Sequence, residues 1–168
     1  MNRKNGLVSV LVAGLCCLTP VPSHAASGTV DLVISSTLKA YVVQMGESTV
    51  TASEGSGKLT FVRSSGDPFP EGANASVQLI GFSKTQPSGL ELEADGVATF
   101  NDDDTLLLLF QRRAEDPGTS GEGDLRFAGG TGRYAGVDGK CRYKMDPQSN
   151  EATVTVAKCQ WLYSFPYR

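Results

Sequence analysis

Short runs of β-branched and aromatic residues alternate with clusters of Gly, Pro, Asn, Asp and Ser along most of the chain, and helical periodicity is almost absent after residue 26. Apolar runs that recur roughly every 10 to 15 residues indicate an all-β protein. The predicted strands are Val30–Ser35, Lys39–Met45, Lys58–Ser64, Ala75–Ser83, Gly89–Phe100, Thr105–Arg113, Gly123–Phe127, Lys140–Met145 and Ala152–Tyr163. Eight or nine strands with short turns favour a single closed antiparallel β-barrel of about eight strands with meander topology.

Two neighbouring segments differ in the faces that they are expected to bury. In Gly89–Phe100 the apolar side chains alternate with acidic ones, which predicts one dry face and one wet face. In Thr105–Arg113 leucines fill positions 106 to 109, so both faces are apolar. We therefore expect something to cover the outside of this second strand. The Pro-rich segment Asp67–Pro70 could do so, and so could a second subunit.

The two cysteines in the second half of the chain lie in the last two predicted strands. Cys141 alternates with basic residues and therefore belongs to the apolar face of its strand. If Cys141 lies opposite Cys159 in an antiparallel pair, Tyr143 lies opposite Ala157 and Met145 opposite Thr155, which matches large side chains to small ones. We expect a disulfide between Cys141 and Cys159, with a hairpin between their strands.

The inward faces of these strands predict which side chains line the barrel. The candidate lumen residues are Leu90, Leu92, Phe100, Phe110, Tyr143 and Trp161. Their side chains could simply fill the core, or they could line a cavity for a small apolar ligand. Both interpretations are open at this stage.

The first 25 residues have the organisation of a secretory signal peptide. Arg3 and Lys4 precede an apolar run from Leu7 to Leu18, and small residues surround a cleavage site after Ala25. The run is shorter than the ~20 residues that a spanning helix needs, so no membrane span is predicted. We expect a signal peptide over residues 1–25, a barrel domain over residues 26–168, and export to the periplasm or the extracellular space.

Cleavage after Ala25 would leave 13 basic and 18 acidic residues and no histidine. Without histidine, a Ser-His-Asp or Cys-His nucleophile and a His-ligated zinc site are excluded. The acidic balance offers no basic surface for nucleic acid. The stretch Asn101–Thr105 has the alternating oxygen ligands of a calcium loop, but Leu106 stands where such a loop needs Gly. We expect a solvated turn there, and neither a metal nor a cofactor.

A glycine-rich segment separates the predicted strands Gly123–Phe127 and Lys140–Met145. Its glycines are Gly129, Gly130, Gly132, Gly136 and Gly139. Part of it matches the dinucleotide-binding pattern G-x-G-x-x-A, but that pattern requires a following helix, which further glycines exclude here. We interpret the segment as a tight connection with repeated left-handed backbone.

This segment, which contains the sequence GGTGRYAG, resembles the allene oxide cyclase and dirigent-like β-barrel superfamily, in particular its small exported bacterial members. The similarity is strongest over about residues 95–143, where the acidic stretch Phe100–Asp104 precedes the glycine-rich turn. It implies an eight-stranded antiparallel barrel with an apolar lumen, sometimes assembled as a dimer or trimer. Plant members guide the cyclisation or radical coupling of small apolar intermediates. No plant pocket residue matches a numbered position in this chain.

Two functions are compatible with these features. The first is an exported, non-catalytic barrel that binds a small apolar ligand or acts as an interaction module. The second is an isomerase or cyclase that holds a reactive intermediate in one conformation, with a buried carboxylate or tyrosine to steer charge. The inward faces contain no Asp or Glu, although Glu122, Asp124 and Asp138 lie beside glycines where side-chain direction cannot be read.

Overall fold

The computed structural model describes residues 26–113, 121–149 and 151–163. Eight antiparallel strands close into one barrel in chain order, which confirms the predicted all-β meander. The strands are β1 Ala26–Met45, β2 Ser48–Ser64, β3 Asn74–Gln86, β4 Gly89–Phe100, β5 Thr105–Arg112, β6 Gly121–Gly130, β7 Val137–Pro147 and β8 Ala152–Tyr163, with one turn of 3-10 helix at Gly132–Tyr134. The predicted signal peptide lies outside the described residues.

The first two predicted strands, Val30–Ser35 and Lys39–Met45, are one continuous strand, and β2 begins ten residues before its predicted start. The polar residues between the two predictions indicated a turn, but no proline interrupts them. Ser36 instead turns its hydroxyl into the barrel, where it lies 2.9 Å from the hydroxyl of Thr153. A buried polar side chain with a hydrogen-bond partner is compatible with a strand interior, so the strand continues.

We call the end of the barrel that carries residues 65–73, 101–104 and 131–136 the lower end, and the end that carries the turns at 46–47 and 87–88 the upper end. Inward residues are fully buried near the lower end and become partly exposed towards the upper end, as in β4, where Phe100 is buried while Leu92 and Leu90 are only partly buried. The hydrophobic core therefore occupies the lower and middle parts of the lumen.

Inward residues form a row around the barrel in which leucine and glycine alternate over the first strands. Successive partners are Leu38, Gly55, Leu79, Gly96, Leu108, Phe127, Gly139, Trp161 and Gly28. The row returns to β1 ten residues before its start, which measures the stagger of neighbouring strands around the barrel. A side chain on Gly96 would lie 2.5 Å from the Leu79 side chain, so close approach requires glycine there.

The Pro-rich segment does not cover the outside of β5, as one interpretation of the sequence expected. Pro68 and Phe69 are buried, and the Phe69 ring enters the lower end of the lumen. There it packs 5.2 Å from Phe61 and 5.5 Å from Trp161, measured between ring centroids. An aromatic ring gains more from burial among other rings than from lying on the outer wall, because its whole surface is removed from water.

The disulfide prediction is confirmed. Cys141 and Cys159 are directly opposed in β7 and β8 and are joined by an S–S bond of 2.01 Å. Tyr143 lies opposite Ala157 and Met145 opposite Thr155, as the alternation predicted. Both sulfur atoms belong to buried residues of the inner face.

The hairpin of β1 and β2 extends beyond the closed part of the barrel. β1 pairs with β8 only from Ala26 to Thr37, whereas its pairing with β2 continues to Met45. Residues Lys39–Met45 therefore have a strand neighbour on one side only among the residues that the structure describes. This edge is the one open edge segment along β1.

Candidate functional site

The lower half of the lumen is filled by an aromatic cluster that we call the plug. Its members are Phe61, Phe69, Phe100, Phe127, Tyr134 and Trp161, all at most 7% exposed. Tyr134 is the centre of the plug, with its ring 4.7 Å from that of Phe100 and 5.6 Å from that of Phe69. Two of the six candidate lumen residues, Phe100 and Trp161, thus lie in close-packed core.

The glycine-rich connection between β6 and β7 carries Tyr134 into the plug. Gly129, Gly132 and Gly136 have positive φ angles of 82°, 56° and 84°, a region that favours glycine. Gly130 and Gly139 serve close approach instead, because a side chain at either would meet Thr105 or the Phe127 ring. The turn therefore delivers one tyrosine to the interior.

Two aspartates of the β4–β5 turn hold this connection in place. The backbone N–H and the Nε–H of Arg133 both donate to Asp104 Oδ2, at 3.0 and 3.1 Å, and the guanidinium also binds Asp102. The N–H donated by the Arg133 backbone, together with its guanidinium, holds the pKa of Asp104 below its usual value. The acidic stretch is thus a partner of Arg133, and no group of three metal-ligating side chains occurs among the described residues.

The other four candidate lumen residues lie towards the upper end. Phe110 and Tyr143 are buried with their ring centroids 5.6 Å apart, and Leu90 and Leu92 are partly buried above them on β4. Leu92 lies opposite Arg112, which faces inward and is 8% exposed. We call this region the lumen mouth.

The Tyr143 hydroxyl in the lumen mouth is buried, and no described group hydrogen-bonds to it. Its ring lies against Gly123, and the Arg112 guanidinium lies against Gly121 on the same strand. Burial raises the pKa of Tyr143, and the positive charge of Arg112 partly opposes that rise. The tyrosine therefore stays neutral at physiological pH and can donate a hydrogen bond.

Every Asp and Glu within residues 26–113, 121–149 and 151–163 is at least partly exposed. Glu122, Asp124 and Asp138, whose direction the sequence left open, point outward and pair with arginines. The Asp124 carboxylate accepts a hydrogen bond of 2.8 Å from Arg142. No described carboxylate thus faces the lumen as a candidate acid or base.

A groove of about 1230 Å³ lies on the outer wall of the barrel. Four of its apolar side chains come from three adjacent strands, where the outward residues Ile80, Val97, Leu107 and Leu109 lie side by side. Leu38, Ala40 and Leu79 also line the groove. Leu107 and Leu109 are each 38% exposed. The outer leucines of β5 thus line a groove that the Pro-rich segment does not cover, and cover by a second subunit stays a prediction.

The rim of the groove carries an excess of negative charge. Glu54, Asp95 and Glu151 contribute carboxylates, and Lys39 contributes one ammonium group. Lys39 Nζ lies 3.3 Å from Glu54, so Asp95 and Glu151 leave a local surplus. A second outer depression of about 450 Å³ lies beside it and shares Asp95 and Leu109.

Sequence reasoning found the lumen side chains but missed the groove. The run of leucines in β5, which makes both faces of that strand apolar, was the available signal for the groove. It indicated that the outer surface of β5 is covered, but it did not give the shape of that surface. The groove crosses β1 to β5 at the level of the leucine–glycine row, where Gly55 and Gly96 contribute only backbone. A concave outer surface depends on how several strands bend together, which periodicity in one strand does not reveal.

No protein-family profile matches the chain, and no curated protein matches it. Among the described residues, no helix is long and apolar enough to cross a membrane. The solved structures that are similar to the chain include two dirigent proteins. The pterocarpan synthase dirigent protein PsPTS1 has a TM-score of 0.47 and 15% identity, over 83% of this chain and 97% of that chain. The pterocarpan synthase dirigent protein GePTS1 has a TM-score of 0.45 and 14% identity, over 92% of this chain and 98% of that one. The likeness to these two dirigent proteins concerns the fold alone.

Proposed function

We propose that the protein is a non-catalytic module that binds a small apolar molecule in the outer groove. The observation that carries the proposal is the contrast between the two sides of the wall. Six aromatic residues fill the lower lumen, whereas the groove offers about 1230 Å³ beside Ile80, Val97, Leu107 and Leu109. Known small-molecule sites are mostly apolar and occupy roughly 300–1,000 Å³.

The charges at the rim favour a neutral or cationic ligand. An anionic head group, such as that of a fatty acid, would lie near the carboxylates of Asp95 and Glu151 with only one lysine in the lining. Like charges close together at a partly desolvated surface cost free energy. We therefore expect a long-chain amine or an uncharged apolar compound to bind more tightly than a fatty acid of the same length.

The test is a titration of the purified protein with a neutral solvatochromic dye, followed by competition with a long-chain amine and the matching fatty acid. Leu109→Glu places a charge in the groove and should weaken dye binding at least about tenfold, or about 1.4 kcal/mol. The matched control is Leu162→Glu, which makes the same change at an outward residue that is 60% exposed and outside the groove lining.

Two outcomes would reject the groove. Equal affinity in Leu109→Glu and in the wild-type protein would exclude it as the binding site. Loss of dye binding in Leu92→Ala, with Leu109→Glu unaffected, would place the ligand in the lumen mouth beside Leu90, Phe110 and Tyr143. Native mass spectrometry of the protein as purified adds an independent search for a bound apolar molecule.

A second candidate function is an isomerase or cyclase in the lumen mouth. One observation favours it: the buried Tyr143 hydroxyl has no described partner and lies in the region of the inward Arg112. A neutral donor in an apolar site can stabilise charge that develops on a substrate oxygen. The enzyme would convert a bound compound into an isomer, and Tyr143→Phe would abolish the conversion while Leu109→Glu would not.

The location of the protein is part of the same proposal. The disulfide between Cys141 and Cys159 supports export to an oxidising compartment, because such bonds are rare in reducing cytosol. The cleavage after Ala25 that the sequence predicts would produce the exported chain. Mass measurement of the secreted or periplasmic protein tests this, and a mass that includes residues 1–25 would contradict it.

A further inference from the structure

The open edge of β1 presents backbone groups that lack a strand partner. The N–H of Leu38 donates to the carbonyl of Glu151 at 2.6 Å, so the backbone groups of Leu38 point away from β2. Because this direction alternates along a strand, the N–H and C=O groups of Ala40, Val42 and Gln44 also point to the open side. Within the part of the chain that the structure describes, no strand pairs with them there.

Apart from Lys39, which pairs with Glu54, the side chains of this edge lack the features that usually protect an open strand. Residues 40–45 contain no charge and no proline. Tyr41, Val42, Val43 and Met45 are 53%, 63%, 58% and 63% exposed. Natural proteins usually cover such an edge or interrupt it with Lys, Pro or a bulge, since an unprotected one pairs with another strand.

We propose that this edge pairs with the same edge of a second copy of the chain. The two strands would run antiparallel around a two-fold axis at Val42, so that Val42 lies opposite Val42 of the second copy and Ala40 lies opposite the second copy's Gln44. The N–H and C=O groups of Ala40, Val42 and Gln44 that point to the open side of β1 would then all be hydrogen-bonded to the second copy. Such an interface is self-complementary, as a two-fold axis requires.

The side chains fit this register on both faces. On the outer face Tyr41 would lie opposite the second copy's Val43, which is a favourable aromatic and β-branched pair. Lys39 would lie opposite Met45, and its ammonium group keeps Glu54 of its own chain as a partner, 3.3 Å away. The register therefore brings no like charges together.

This arrangement selects a second copy over an unrelated protein as the partner. A foreign strand would need its own matching pattern, whereas two-fold symmetry supplies the match from one sequence. The contact is short for a stable dimer, since standard interfaces bury about 800 Å² on each partner. We therefore expect a reversible dimer with a dissociation constant in roughly the micromolar range.

Lys39 and Ala40 line the groove as well, but Val42 does not, so variants at Val42 test the edge without changing the groove. The experiment is sedimentation of the purified protein over a concentration series. Val42→Pro removes an N–H that points to the open side, so the β1–β2 pairing is kept while the contact between copies is lost. We expect dimerisation to weaken at least about tenfold. Val42→Ala keeps the N–H and is the matched control, for which we expect less weakening.

A pair of cysteine variants tests the register separately, and its result stands even if Val42→Pro fails to fold. In Val42→Cys the two copies would place their Cα atoms about 5.5 Å apart, which suits a disulfide, so oxidation should give a covalent dimer. In Val43→Cys the equivalent cysteines are displaced diagonally and should stay unlinked. A monomer at every concentration, a dimer unaffected by Val42→Pro, or equal cross-linking of both variants would overturn the inference.

Discussion

Tyr134 connects a surface turn to the interior of the barrel. Its ring is fully buried in the plug, yet its hydroxyl has no hydrogen-bond partner among the described groups. Burial raises the pKa of this hydroxyl, so it stays neutral over the whole physiological range. A buried polar atom without a partner costs free energy, whereas the ring that carries it contributes strongly to packing.

The ring and the hydroxyl of Tyr134 should therefore have opposite effects on stability. Tyr134→Phe keeps the ring and removes the unpaired oxygen, so its free energy of unfolding should equal or exceed that of the wild type. Tyr134→Ala should lose about 3–5 kcal/mol, as large aromatic deletions in cores do. Denaturant unfolding of both variants measures the difference, and a large loss in Tyr134→Phe would reveal a hydroxyl contact that is essential.

Asp104 should make stability depend on pH in the acid range. Its pKa is lower in the folded protein than in the unfolded chain, so its stabilising effect is present above the unfolded pKa of about 3.9 and is lost as pH falls through the folded pKa. In Asp104→Asn, stability should be lower at neutral pH and should fall less steeply below about pH 4.

The control for this pH prediction lies one residue away. Asp103 occupies the same turn with a φ angle of 62°, a conformation that asparagine also tolerates. Asp103→Asn should therefore keep the wild-type dependence of unfolding on pH. Identical acid profiles for Asp104→Asn and the wild type would contradict the role assigned to the contact with Arg133.

The hairpin of β7 and β8 closes the barrel against β1 and carries the disulfide. The bond joins residues 18 positions apart, and loops of that size are stabilised by about 3 kcal/mol in the chain-entropy argument. The double variant Cys141→Ala with Cys159→Ala should lose roughly this much free energy of unfolding. Added reductant should destabilise the wild type and leave the variant unchanged, and equal sensitivity of both would argue against the bond.

The same hairpin shows what alternation along a strand can and cannot predict. The parity of Cys141, Tyr143 and Met145 gave the inward face of β7, because one face of β7 is strongly basic and the other apolar. The expected disulfide with Cys159 then gave the register with β8. The first ten residues of β2 show no such contrast, because residues 48–57 are mostly small or polar and their two alternating faces have similar polarity. Pairing with strands on both sides, rather than local preference, makes this stretch a strand.

At the scale of the whole molecule, a closed barrel leaves a lumen that must be filled or occupied. The spacing of apolar runs predicted a closed antiparallel barrel of eight or nine strands, and that architecture is the part of the fold that was predictable. The residues that fill the lumen were not predictable, because Phe69 comes from a loop. Where that loop packs depends on the space that is left when the barrel closes. For the same reason, periodicity identified inward residues without distinguishing the plug from the lumen mouth.

Removing the Phe69 side chain should therefore leave an unfilled space inside the lumen. Phe69→Ala should cost about 3–5 kcal/mol and leave an apolar cavity among Phe61, Phe127 and Trp161. Such cavities stay dry and bind small aromatic molecules, so benzene should raise the melting temperature of the variant and not that of the wild type. Phe82→Ala, at a site 62% exposed, is the control and should change stability little.

The pairing of Ala26 with Tyr163 at the lower end has a practical consequence for engineering. Since the two ends of the barrel domain are neighbours in one ladder, a short flexible linker would join them. New ends could then open at the Gly46–Glu47 turn, giving a circularly permuted barrel that keeps every strand pairing. Cargo fused there would project from the tip of the long hairpin, at the opposite end of the barrel from Ala26 and Tyr163.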